Sequence, residues 1–172
     1  MQLLDLLVFV LIGVCGVTDV LTGKIYNKAT YPAMLLGFAW NAWMPNAPGL
    51  KSSLEGFLLA AVLMGGLTLL GGMGGGDAKL LAAIGALKGY PFILDVLFYS
   101  FLVGGVIALT VAIWQGRLLG TLRRVWYMLF GVVVFRVKPV EGPEEAQSYK
   151  IPFGVAICLG TLWAQLLEIF KN

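Results

Sequence analysis

An all-α, polytopic membrane protein with about six transmembrane helices is the fold class this sequence predicts, and three observations predict it. Hydrophobic residues make up 59% of the chain and charged residues only 12%, against about 25% charged in ordinary soluble domains. Uncharged apolar runs recur at lengths near the ~20 residues that a helix needs to cross a bilayer. The charges that do occur gather between those runs, and the mean hydropathy is +0.89.

Taken in order, the first run, Leu6 to Thr18, becomes a full span once Asp5 and Asp19 stand at its two ends. Ala29 to Leu50 and Gly56 to Gly76 are the clearest spans. Asp77 to Leu94 is a fourth, interrupted by Lys79, Lys88 and the Gly89-Tyr90-Pro91 break. It crosses only with its charged ends at the interfaces or in protein-lined, water-filled space. Val96 to Gly116 and Ile151 to Leu167 complete the set. All belong to one membrane domain covering residues 1–172, with 117–150 as its single long polar connection. Within it, Val125 to Phe135 is flanked by Arg123, Arg124 and Arg136 and is too short to span. It suits either an interfacial helix, with Trp126 and Tyr127 at headgroup level, or a small cytoplasmic element on the bundle. Pro139 to Lys150 reads as an exposed linker.

Orientation follows from counting cations. With the N-terminus outside, the inner face receives Lys24, Lys28, Lys79, Arg117, Arg123, Arg124, Arg136, Lys138 and Lys150. The outer face receives Lys51, Lys88 and Lys171. This asymmetry favours an N-out chain in the cytoplasmic membrane with 117–150 inside. The net charge of +3 therefore reads as orientation, not as nucleic-acid binding. No Lys or Arg precedes Lys24, so the first segment is expected to be a retained span and not a cleavable signal.

Histidine is absent, which excludes Ser-His and His-zinc chemistry. Cys15 and Cys158 lie inside apolar runs and read as small packing residues. The remaining chemistry rests on carboxylates. Gly71-Gly72-Met73-Gly74-Gly75-Gly76-Asp77 places an aspartate after five glycines at the end of a span, and Asp19 closes the first span similarly. Ionisable residues at membrane depth are costly and point to function. Two crossings separate Asp19 from Asp77, so both stand on the same membrane face. Two aspartates held about 3 Å apart share one proton, which equips them to hydrolyse a peptide bond. No metal or organic cofactor is needed. Glycine lets another chain approach closely and weakens a helix end, so a mobile loop is expected at Gly74, Gly75 and Gly76. Lys24 and Lys79 either tune the aspartates' ionisation or mark the inner face. A small ion-coupled transporter and a non-catalytic subunit of a secretion complex are the alternatives that glycine-rich helices and membrane carboxylates leave open.

Gly74-Gly75-Gly76-Asp77, extended by Lys79, resembles the Gly-x-Gly-Asp motif of membrane aspartyl proteases. Asp19 followed by Gly23-Lys24-Ile25-Tyr26-Asn27 is similar to the first-aspartate motif of type IV prepilin peptidases, with Tyr26 where that family has proline. Lys150-Ile151-Pro152-Phe153-Gly154 resembles a late element of the same family. The resemblance extends over nearly the whole chain. It implies a short-form peptidase, similar to those of tight-adherence pili and archaeal preflagellins, with Asp19 and Asp77 catalytic. Gly74, Gly75, Gly76, Lys79, Lys24 and Asn27 would bind substrate or shape the site. The implied partner, besides the bilayer, is a prepilin-like protein cut after a short basic leader, with glycine preferred before the cut. The amino-terminal cysteine-containing domain of the larger members is not in this sequence, so N-methyltransferase activity is not implied. Presenilin-type relatives carry Tyr-Asp at the first aspartate, where this chain has Thr18-Asp19.

Overall fold

The computed structural model describes residues 3–44, 47–69, 73–114 and 153–171. Six helices occur among them: α1 (Leu3–Thr22), α2 (Asn27–Trp43), α3 (Leu50–Leu69), α4 (Gly75–Lys88), α5 (Phe92–Trp114) and α6 (Phe153–Lys171). Four of these, α1, α3, α5 and α6, are long and apolar enough to cross a membrane. The chain is an all-α, polytopic membrane protein. The connection 117–150, its Val125 to Phe135 run and Lys150-Ile151-Pro152 lie outside the described residues. The chain divides into two compact units, Met1–Gly104 with Pro152–Asn172, and Gly105–Ile151. The first carries every candidate site residue; of the second, only the end of α5 is described.

Helical periodicity explains how α1 sorts its side chains. Leu4, Val8, Leu11, Ile12, Cys15 and Asp19 are buried, and their spacing of three or four residues puts them on one face. Val10, Val14, Val17 and Leu21 recur at the same spacing and are exposed, forming an outward apolar stripe. Asp19 therefore lies on the inward stripe of an otherwise apolar helix. Cys15 packs in that stripe, and the Cys158 thiol of α6 donates to the Ile12 carbonyl at 3.2 Å. Both cysteines act as packing residues.

At the centre sits α4, every residue of which from Leu80 to Leu87 is buried. It packs mainly on α3 and α2, with lesser contacts to α1 and α6. Small residues permit this enclosure. A Cβ at Gly37 of α2 would lie 2.6 Å from the Ala86 carbonyl oxygen, and one at Gly85 would collide with the Gly56 carbonyl of α3. The last carbonyls of a helix need outside donors. Asn41 Nδ2 supplies them to Ala86 (3.2 Å) and Leu87 (3.0 Å), and Ser53 Oγ to Ala86 (2.5 Å).

Several boundaries differ from the sequence reading: α2 ends at Trp43 where Leu50 was expected, and α3 runs Leu50–Leu69 where Gly56 to Gly76 was expected. Gly89, at φ +71°, ends α4 at Lys88. Fourteen residues rise only ~21 Å, short of the ~30 Å of hydrocarbon. The next helix starts at Phe92, ahead of the expected Val96, because Asp95 falls in its first turn, where a negative charge is favourable. The glycine run is also less of a loop than expected. Among its described glycines, Gly75 and Gly76 are helical and Gly74 is the N-cap, in extended backbone.

Candidate active site

Asp19 occupies the last turn of α1, and its own backbone helps end that helix. Gly23 adopts φ +62° and donates its N–H to the Asp19 carbonyl at 2.8 Å, a left-handed stop that glycine reaches without strain. The chain then crosses through Lys24, Ile25 and Tyr26 into α2 at Asn27. The Asp19 side chain is only 8% exposed. Its Oδ2 is buried and has no hydrogen-bond partner among the described residues. A buried carboxylate oxygen left this way is costly and demands an explanation.

Asp77 is the third residue of α4, outside the four membrane-crossing helices. Its N–H donates to the Gly74 carbonyl at 3.1 Å, and its carboxylate accepts from the Gly74 N–H. This is one half of the reciprocal cap that acidic residues make at a helix start. Burial, and secondarily the negative charge of Asp19, push the Asp77 carboxyl up to about 6, while the Gly74 N–H pulls it down. Asp77 therefore senses the charge of Asp19 across the site.

Two glycines and one isoleucine bring them together. A Cβ at Gly154, in the first turn of α6, would lie 2.5 Å from Asp19 Oδ2 and 3.1 Å from Ile25 Cδ1. A Cβ at Gly76 would lie 3.1 Å from Ile25 Cβ. Asp19, Gly154, Ile25 and Gly76 thus form a continuous packed line from α1 across α6 to the start of α4. A larger residue at Gly154 would displace the Asp19 carboxylate, and one at Gly76 would press on Ile25. Ile25 and Gly154 were not singled out as site residues by the sequence. The signal was present, since Ile25 stands in the motif after Asp19 and Gly154 in the late Lys150-Ile151-Pro152-Phe153-Gly154 element.

The other expected site residues divide. Lys79 Nζ donates to Asn27 Oδ1 at 2.9 Å and stands 5.5 Å from the Tyr31 ring centroid, tying α4 to α2. Gly74 faces Asp77, an added Cβ there meeting Oδ2 at 3.0 Å, whereas one at Gly75 makes only an ordinary 3.9 Å contact with Thr68. Lys24 is exposed on the α1–α2 connection, its carbonyl within 3.5 Å of the Thr22 hydroxyl. No group of three or more His, Cys, Asp or Glu side chains among the described residues is arranged to hold a metal ion.

Residues 6–109, which include both aspartates, match the type IV leader peptidase family. The chain belongs to this family. A prepilin leader peptidase/N-methyltransferase of Xanthomonas campestris pv. campestris is 39% identical over 97 residues, covering 53% of this chain and 34% of that protein. One of the same name from Burkholderia pseudomallei is 31% identical over 106 residues, covering 58% of this chain and 34% of its own length. The chain thus spans about a third of the length of these curated relatives. No solved structure matches it.

Proposed function

We propose that this chain is an aspartyl endopeptidase of the cytoplasmic membrane, removing short basic leaders from prepilin-like proteins at the cytoplasmic face. The observation that carries this reading is Asp19 Oδ2, buried, unpartnered among the described residues and coupled by charge to Asp77. A raised Asp77 pKa suits it to hold the shared proton and donate it to the scissile carbonyl oxygen. Ionised Asp19 takes a proton from water, and the water oxygen attacks the carbonyl carbon. Collapse of the tetrahedral intermediate breaks the C–N bond, with a proton passing to the leaving amine. The crowding of Ile25 against Gly76 and Gly154 favours a small residue beside the cut. Family membership argues for this reading over an ion-coupled transporter.

A lateral groove suits the rest of the substrate. Leu7, Val10, Val14, Pro32, Ala33 and Leu36 line a recess of about 490 Å³ between α1 and α2, ending at Tyr26 beside the site. An apolar helix lying there would bring its inner end to the aspartates. Filling the groove with Ala33→Trp should raise KM and leave kcat unchanged in a membrane cleavage assay.

The deciding assay co-expresses a prepilin-like reporter with wild type, Asp19→Asn or Asp77→Asn. Processing by wild type alone, with both variants present in the membrane, is the expected result. Normal cleavage by either variant would overturn the dyad.

A further inference from the structure

The helices that converge on the candidate site are also joined at their opposite ends, by charges the proposed reaction does not use. Lys88, in the last turn of α4, places Nζ 2.7 Å from Asp5 Oδ1 and 2.6 Å from Glu168 Oε2. Asp5 lies in the first turn of α1, and Glu168 near the end of α6. The Lys88 and Asp5 side chains are 10% and 11% exposed, and Glu168 is 38% exposed. Buried Gln165 of α6 donates Nε2 to both the Asp5 carbonyl and Asp5 Oδ1, each at 3.2 Å. The Phe92 ring centroid stands 4.8 Å from the Lys88 ammonium.

Each of these three helices contributes to the candidate site from its other end. Asp19 stands ~21 Å along α1 from Asp5, Asp77 ~17 Å along α4 from Lys88, and Gly154 ~21 Å along α6 from Glu168. Asn41 and Ser53 hold α4 to α2 and α3, which carry neither aspartate. Among the described polar contacts of α4, those of Lys88 join it to the helices bearing Asp19 and Gly154. A short helix moves as a rigid rod, so fixing its axial position at one end fixes the other. Removing the cation would take away the positive charge that stands between the Asp5 and Glu168 carboxylates, and like charges so close repel each other.

We infer that Lys88 is a positioning residue, whose contacts with Asp5 and Glu168 fix α1, α4 and α6 axially and so set the separation of Asp19 and Asp77. The inference rests on the proposed reading only in taking those two residues as the catalytic pair.

The test reads geometry and activity separately in the full membrane-inserted chain. In a Cys15→Ala/Cys158→Ala background, Asp19→Cys and Asp77→Cys are linked with bifunctional thiol reagents of increasing span. The shortest reagent that links them measures their separation. Lys88→Met should shift that minimum to a longer reagent. On the native dyad it should lower kcat by ~10²-fold, the scale set by an ångström of misplacement, with KM unchanged. Lys88→Arg should restore both readouts. Glu168→Gln, which keeps the Lys88–Asp5 pair, should act in the same direction more weakly and serves if Lys88→Met fails to insert. An unchanged linking profile in Lys88→Met, or in Glu168→Gln where that variant serves, would overturn the inference. A kcat loss explained by lost folded protein, with that profile unchanged, would overturn it too. If wild type cleaves no substrate, the peptidase reading fails, and the linking profile still decides the role of Lys88.

Discussion

The two ends of the bundle use the same kind of residue to opposite effect. At one end α1 presents Asp5, buried and satisfied by Lys88 and Gln165. At the other it presents Asp19, equally buried, with one oxygen unpartnered among the described residues and close enough to act by its charge on the Asp77 carboxyl. A cation between carboxylates removes the energetic conflict and leaves a rigid joint. Two carboxylates without one retain the conflict, which is relieved by holding a proton. The proposed reaction needs that proton, so the unrelieved end is the one suited to it.

The largest effect expected from breaking this contrast comes from the carboxylates themselves. Asp19→Asn or Asp77→Asn should lower the cleavage rate by ~10³-fold or more, the scale seen when one member of a catalytic set is removed. Next comes Gly154→Ala, whose new Cβ would fall on Asp19 Oδ2. Displacement of that carboxylate should lower kcat by ~10²-fold, measured on protein shown to be membrane-inserted. The smallest effect is on stability. The folded Asp77 pKa of about 6 lies above the ordinary value of 3.8, so the folded state favours the protonated form. The cost of ionising Asp77 grows as pH rises from the ordinary value through the folded one, and is complete above it. Asp77→Asn should therefore raise Tm above pH ~6 and leave it unchanged well below pH ~4. Thermal melts of the purified protein at both extremes check the sign, and a rise in Tm confined to low pH would contradict it.

Much of the site was legible because topology is arithmetic in a membrane. Two apolar runs between Asp19 and Asp77 led to the expectation of a shared face; of the two helices there, α3 is long and apolar enough to cross, and Asp19 stands near enough to act by charge on Asp77. The inward turn of Asp19 was also implicit, since it continues the spacing of Leu4, Val8, Leu11 and Cys15. The partners of Lys88 were not legible. Asp5 is 83 residues away in the chain, and no local pattern links a cation at one span's end to carboxylates at two others. Lys79 was legible as a cation near the site, but its pairing with Asn27 and Tyr31 depends on how α4 packs on α2. Asn41 and Ser53 stood unmarked within or beside apolar runs, because the carbonyls they serve belong to another helix.

By itself the sequence determined the class of the molecule, an all-α polytopic membrane chain, and marked two aspartates at the ends of apolar runs. Those properties depend on composition and on the length of apolar runs, which the bilayer reads locally. Tertiary structure decided that α4 is a short, fully enclosed helix, that Gly76 and Gly154 close on Ile25 and Asp19, and that one lysine joins three helices at the far end. Those depend on backbones approaching at van der Waals distance across long sequence separations. No local propensity specifies such contacts, because they exist only once the helices have packed.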